Sequence, residues 1–175
     1  LYTTFKATTF DDLKGRKAWL PEDDLVGKVL IEESGLSPVP LGLADVLTGL
    51  QTGLLDVVSG PPVAAVALQW FTKVKYVIDL PLVYTAGCVS LSDRAWSKLS
   101  VEDQQVVDEV FARMTKALDR RAREDNEGAR AALEKQGVAT ATPDADTLRD
   151  WRELAARSSA KLVGELGLSP GLLAE

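Results

Sequence analysis

The chain has no histidine and one cysteine among its 175 residues. Without histidine, a Ser-His or Cys-His nucleophile pair and a histidine-ligated metal site are excluded for this chain, which removes most hydrolase chemistries. The lone thiol, Cys88, allows no internal disulfide and no cysteine cage for a metal. Its setting, Ala86-Gly87-Cys88-Val89, predicts a buried small hydrophobe. No run reaches the roughly 20 apolar residues of a membrane-spanning helix, and no basic segment with an apolar core stands at the start. The opening Leu1-Tyr2-Thr3-Thr4 has no initiator methionine, so the expectation is a cleaved or excised piece whose N-terminal part is missing.

Positive charge is also short. The 20 Lys plus Arg face 26 Asp plus Glu, a net charge of -6. Such a chain repels phosphate backbones and anionic lipid, which argues against nucleic acid or bare membrane as partner. What remains is an ordinary globular balance, 46% hydrophobic and 26% charged. It suffices for a packed core in one sizeable domain, or in parts of two lobes. There is no internal repeat, low-complexity tract or Pro/Gly/Ser linker.

Short β-like and helical runs alternate over the first part of the chain. Lys17-Ala18-Trp19-Leu20 before Pro21 reads as a strand, because proline forces extended geometry on its predecessor. Leu25, Val29, Leu30 and Ile31 fall near helical spacing up to a stop at Ser34-Gly35. Val39-Pro40-Leu41 is extended, 44–52 is helical with Gly53 as its stop, and Leu55 to Val58 is a third strand. Ser59-Gly60-Pro61-Pro62 then opens a helix expected to reach Trp70. Alternation of this kind implies an α/β lobe with a largely parallel sheet and helices on both faces.

Beyond Lys73 the pattern changes. Val74 to Val83 and Ala86 to Leu91 are apolar and broken by Pro81, as strands crossing between two lobes would be. Ser100-Val101-Glu102-Asp103 forms a capping box with Asp in place of the usual Glu or Gln. Behind it, Val106, Val107, Val110, Phe111, Met114 and Leu118 keep one helical face apolar. A helix from there to Gln136, about 50 Å at 1.5 Å per residue, is longer than a small domain is wide and has to bridge something. Gly128 is its candidate kink. Thr142-Pro143-Asp144 starts a last helix, with Thr142 as cap and Leu148, Trp151, Leu154, Ala155, Leu162, Val163 and Leu166 as its buried stripe. The mixed-sign run 119–125 reads as a solvated helix face.

Several segments resemble one family, the DctP-like extracytoplasmic solute-binding proteins of TRAP transporters. Asp12-Leu13-Lys14-Gly15-Arg16-Lys17 is similar to its D-L-K-G-x-K. Pro38-Val39-Pro40 followed by 44–56 is similar to its P-x-P and S-E-V-Y-x-A-L-Q-T-G-x-V-D. Lys73-Val74-Lys75-Tyr76 matches V-x-K-Y, Leu99 to Val107 matches L-P-E-D-x-Q-x-V-V, and Leu133 to Val138 matches a late E-x-x-G-V turn. They stand in family order across most of the chain.

The resemblance implies a periplasmic-binding-protein-like (type II) two-lobe α/β fold, of which this chain supplies the C-terminal half. The implied parts are a ligand-binding lobe segment at 1–73, crossover strands at 74–100, and a long bridging helix plus C-terminal helix at 101–175. The implied function is capture of a small organic solute between the lobes and delivery to TRAP membrane permease subunits. It would take place in the periplasm, without cofactor, metal or catalysis. The missing N-terminal half would be the other partner.

The ligand positions that the resemblance implies carry unusual residues here. Where the family places a carboxylate-clamping Arg stands Trp19. Where its ligand-facing Asn stands is Gly60, and its aromatic before S-E-V is Leu43. The candidate site is therefore Trp19, Leu43, Val58, Ser59, Gly60 and, from the crossover, Tyr84. Trp19 is equally readable as core, Ser59 and Gly60 as a plain helix start, and Tyr84 as a surface or core tyrosine. Glu22, Asp23 and Asp24 suit a first helical turn better than a calcium cluster. Two rival functions stay open, an α/β enzyme using Asp45 or Asp56 as base and a helical interaction module. The enzyme lacks any motif placing a base or a phosphate loop.

Overall fold

The structure, a computed structural model, describes residues 1–80 and 87–166. Six short strands form one sheet: β1 (Tyr2–Thr3), β2 (Lys17–Leu20), β3 (Ser37–Pro40), β4 (Val57–Val58), β5 (Tyr76–Ile78) and β6 (Ala139–Ala141). Their order is β3-β2-β4-β1-β5-β6, and β2 pairs in parallel with both β3 and β4, as β5 does with β6. β1 alone runs against its neighbours β4 and β5. The two prolines of β3, Pro38 and Pro40, are tolerated because β3 is an edge strand. The expected adjacency of the strands at 17–20, 39–41 and 55–58 is what the sheet shows.

Six helices complete the lobe: α1 (Leu25–Glu33), α2 (Val46–Gln51), α3 (Pro62–Ala67), α4 (Asp93–Trp96), α5 (Val101–Lys135) and α6 (Ala145–Leu166). Alternate strand residues serve two cores, one on each face. Tyr2, Trp19 and Val58 pack with Val46 and Leu50 of α2, Ala65 of α3, Trp70 and Leu133 of α5. Ala18, Val57, Ile78 and Ala141 pack on the opposite face with Leu13, Leu36, Ile31 of α1 and Trp151 of α6.

Helix ends follow local chemistry. Asp24 caps α1 by accepting from the Gly27 N–H at 2.8 Å. Among the described residues no cluster of acidic or thiol side chains could hold a metal. α5 begins on the Ser100 box: the Asp103 N–H donates to Ser100 Oγ at 3.1 Å, and that hydroxyl donates to Asp103 Oδ2 at 3.0 Å. The shorter Asp thus accepts a hydrogen bond from the hydroxyl. α5 ends where Val138 N–H returns to Leu133 O (3.0 Å) and Gly137 N–H to Glu134 O (2.9 Å). Gly137 supplies the left-handed residue of this stop (φ 87°), and Val138 packs back among the same core residues as Leu133.

Several expectations are corrected. The third helix stops at Ala67 because Gln69 turns left-handed (φ 57°), and Trp70–Thr72 is a separate 3-10 turn. α6 is capped by Asp144, whose Oδ1 accepts the Thr147 N–H at 2.8 Å, and not by Thr142. α5 is a continuous 35-residue helix through Gly128, and of the four residues expected to pack it on the crossover strands Val107 is half-buried, while Phe111, Met114 and Leu118 lie outside both cores. These last three are 36%, 50% and 62% exposed, and the buried residues of α5 are Ala129 and Leu133. Cys88 is exposed, since 87–92 is irregular chain lying outside both cores. Of the expected crossover strands, 76–78 belongs to this lobe's own sheet as β5, 87–91 forms no strand, and Pro81 to Ala86 lie outside the described residues. In α6, Ala155 is exposed while Leu154 is buried.

The direction of α5 positions the site. Its C-terminal end turns into β6, so it runs against the parallel strands. Asn126 meets the start of α3, accepting from the Val63 N–H at 3.3 Å. Residues 101–125, about 37 Å of helix at 1.5 Å per residue, therefore project past the C-terminal edge of the sheet.

Candidate functional site

In open α/β sheets, ligands bind outside the carboxyl ends of the strands. That edge gathers most of the candidate residues. Trp19 is the penultimate residue of β2, Val58 ends β4, Ser59 and Gly60 follow it, and Leu43 lies in the 3-10 turn Leu43–Asp45 after β3. Leu43, Ser59 and Gly60 are exposed, whereas Val58 is buried and Trp19 is only 8% exposed. The Trp19 Nε1–H donates to Leu41 O at 2.8 Å, and its ring meets Trp70 edge-on, centroids 5.7 Å apart. Trp19 is thus mainly the underside of this edge. Tyr84 lies outside the described residues.

A cavity of about 130 Å³ lies between the sheet and the inner half of α5, reaching this edge at Gly60 and Asp79. It is lined by Tyr2, Gly60, Asp79, Arg130, Glu134 and Thr140 among others. Tyr2, Val77 and Thr140 stand in one cross-strand row, which is why they share that wall. Arg130 Nη1 pairs with Asp79 Oδ1 at 2.9 Å. Their hydrogen bond and Asp79's charge hold the guanidinium pKa above its ordinary value. Burial raises the Tyr2 phenol to about 12, with Arg130 pulling it down and Asp79 pushing it up. Sequence reasoning missed Tyr2, Trp70, Asp79 and Arg130. Arg130 sits in a charge-rich helix and carries no local signal, and the others meet only through the sheet.

The residues that carried the family resemblance hold the fold. Asp12 Oδ2 accepts from the N–H groups of Thr8 and Thr9, both at 2.9 Å, which keeps its carboxyl below the usual range. Asp56 Oδ2 accepts from the Lys17 N–H at 3.0 Å, at the amino end of β4 and away from the cavity edge. Asp45 is exposed and caps no helix with its side chain.

Comparison with known proteins decides the family. The model of the bacterial extracellular solute-binding protein family 7 (DctP) matches residues 2–165. The chain belongs to that family. A solute-binding protein of Roseobacter denitrificans is 31% identical over 102 residues, covering 58% of this chain and 31% of the relative. Among solved structures, a TRAP periplasmic solute-binding protein of Rhodobacter sphaeroides, apo and open, superposes with a TM-score of 0.82 at 22% identity, covering 95% of this chain and 54% of the other. One from Haemophilus influenzae with bound L-gulonate has a TM-score of 0.80 at 19% identity, covering 94% and 54%. The fold of this DctP-family chain is therefore that of a TRAP solute-binding protein lobe. The chain spans about half the length of these solved structures, and its match covers under a third of the Roseobacter relative.

Proposed function

We propose that this DctP-family chain is one lobe of a TRAP-type solute receptor that captures a small organic solute between two lobes and passes it to membrane permease subunits. Binding energy goes into closure of the lobes, and no bond is made or broken. The family match across residues 2–165 carries this reading. The geometry supports it: candidate contacts collect at the carboxyl edge of the sheet, and α5 extends past that edge to where a second lobe would stand. The bound L-gulonate of the Haemophilus protein points to organic acids as the solute class. The family description, extracellular, supports an extracytoplasmic, periplasmic setting. Among the described residues no helix is long and apolar enough to cross a membrane.

The proposed contacts of this lobe are Trp19, Leu43, Val58, Ser59 and Gly60, with Tyr84 from the segment beyond residue 80. None of these carries positive charge, and the Arg130 that lines the cavity beside Gly60 is already paired with Asp79, so these contacts present a neutral or apolar face to the solute. Trp19 contributes little new area, because most of its indole is already covered. Of the carboxylates of the enzyme reading, Asp56 serves the Lys17 N–H at the amino end of β4, and Asp45 stands exposed in the turn that carries Leu43.

The test is a thermal-shift and calorimetric screen of the full-length protein against organic acids, amino acids and lipids. A receptor gives a lasting, concentration-dependent rise in melting temperature, and the solute is recovered unchanged. A shift that decays as the solute is converted would sink the reading in favour of an enzyme. No shift across the screen would remove solute capture.

A further inference from the structure

Gly60 lies exposed after β4 and lines the cavity at the sheet's carboxyl edge. Its backbone does not require glycine, since its φ is not in the left-handed region. The space does. A Cβ at residue 60 would stand 3.1 Å from Cζ3 and 3.4 Å from Cη2 of Trp70. Those atoms belong to a rigid ring that is 1% exposed and braced edge-on by Trp19. Trp19 is fixed in turn through Nε1 to Leu41 O. The Trp70 ring therefore cannot swing aside as a flexible side chain would.

Nothing polar holds Trp70 there. Its buried Nε1 has no hydrogen-bond partner among the described residues, so packing alone sets its position. Trp70 is not among the residues lining the cavity, yet it determines what residue 60 can carry into it.

We propose that Trp70 is a positioning residue for solute specificity: by crowding the space beneath residue 60 it favours glycine there, so that position offers main chain and no side-chain polar anchor. This deepens the solute-capture reading and rests on it. Residues 19, 60 and 70 then act as one unit, and a side chain at residue 60 costs stability that shrinking residue 70 returns.

The experiment uses the full-length protein with Gly60→Ala, Trp70→Phe, the double variant, and Gly60→Asn in the Trp70→Phe background. Phenylalanine shortens the ring system and forfeits no hydrogen bond at Nε1, so its effect is confined to packing. Melting temperatures are read without solute. Affinities are read by calorimetry for L-gulonate and for sorbitol, its neutral alditol counterpart. Gly60→Ala alone should lower the melting temperature by about 2–4 °C, and by much less once residue 70 is Phe. Adding Gly60→Asn to Trp70→Phe should shift the gulonate-to-sorbitol affinity ratio by about tenfold or more, a gain that a merely structural Trp70 would not give. An equal cost of Gly60→Ala in both backgrounds overturns the steric claim. Coupled stability with an unchanged ratio overturns the specificity claim, and so does failure of every variant to bind either probe. The capture reading is judged separately by its own screen, so the two can fail independently.

Discussion

Arg130 Nη1 on α5 and Asp79 Oδ1, one residue past the end of β5, stand 2.9 Å apart and tie the long helix to the strand from which the chain leaves the sheet. Both side chains are about half exposed, at 49% and 51%. Water screens such a pair, so a double-mutant cycle with Arg130→Gln and Asp79→Asn should give a coupling of only about 0.2–1 kcal/mol. The coupling should fall in 1 M salt, where the screening length is about 3 Å. Urea denaturation of the four species checks this. A coupling several times larger would mean that the pair is shielded in a way its exposure does not show.

Tyr2 gives a pH dependence with a defined sign. Its phenol is raised from 10.0 to about 12 in the folded chain, first by burial. The folded state therefore favours the neutral phenol. That contribution is full below pH 10 and is lost as pH climbs through about 12. Its size is on the order of 2 kcal/mol. Tyr2→Phe keeps the ring and removes the titration, so the alkaline fall in stability should become shallower. The tyrosinate absorbance lost in Tyr2→Phe should be a step near pH 12 in the folded chain. A lost step near pH 10 would contradict the burial of Tyr2.

The start of α6 offers a choice between two residues. The sequence pattern favours Thr142, while the hydrogen bond from the Thr147 N–H goes to Asp144. Asp144→Ala should lower the melting temperature more than Thr142→Ala does, as loss of a cap requires. The Asp144 carboxyl is held below its ordinary pKa, chiefly by the Thr147 N–H. Its stabilising effect is therefore present above the unfolded pKa and fades as pH falls through the folded one. The gap between the two variants should close in acid. A larger loss from Thr142→Ala would return the cap to threonine.

Much of the lobe is written locally. The strand at Lys17–Leu20 is announced by Pro21, the Ser100 box by its spacing, and the end of α5 by Gly137 before Val138. These signals lie within a few residues of what they specify. The break after Ala67 is different, because Gln69 adopts a left-handed conformation that its residue type does not advertise. The short strand Ala139–Ala141 follows from pairing with β5, some sixty positions earlier, and its own sequence is weakly β-forming. The candidate site shows the same division. Residues 19, 43 and 58–60 were reached through the segments that resemble the family, but the Trp70 ring beneath Gly60 and the Asp79–Arg130 pair exist only once the sheet is assembled. Amphipathicity also misled: the apolar stripe of α5 is real, yet its outer part lies beyond the sheet edge and outside both cores.

Two leucines on α5 test that last point with one substitution. Leu133 is 3% exposed and packs in the core with Ala65, Trp70 and Val138. Leu118, four helical turns earlier, is 62% exposed. Truncating a buried leucine removes its transfer energy and leaves a cavity, so Leu133→Ala should cost about 2–5 kcal/mol. Leu118→Ala removes exposed surface from a helix and replaces it with the best helix former, so it should change stability by less than about 0.5 kcal/mol in the 175-residue polypeptide. In the full-length protein the second figure should rise if another lobe covers the outer half of α5, because the same side chain would then be buried. Urea denaturation of both variants in both contexts gives four values. If Leu118→Ala costs the short polypeptide as much as Leu133→Ala, the outer half of α5 packs on this lobe after all, and its projection past the sheet edge is wrong. If the cost of Leu118→Ala stays small in both contexts, the apolar stripe is no lobe-docking face.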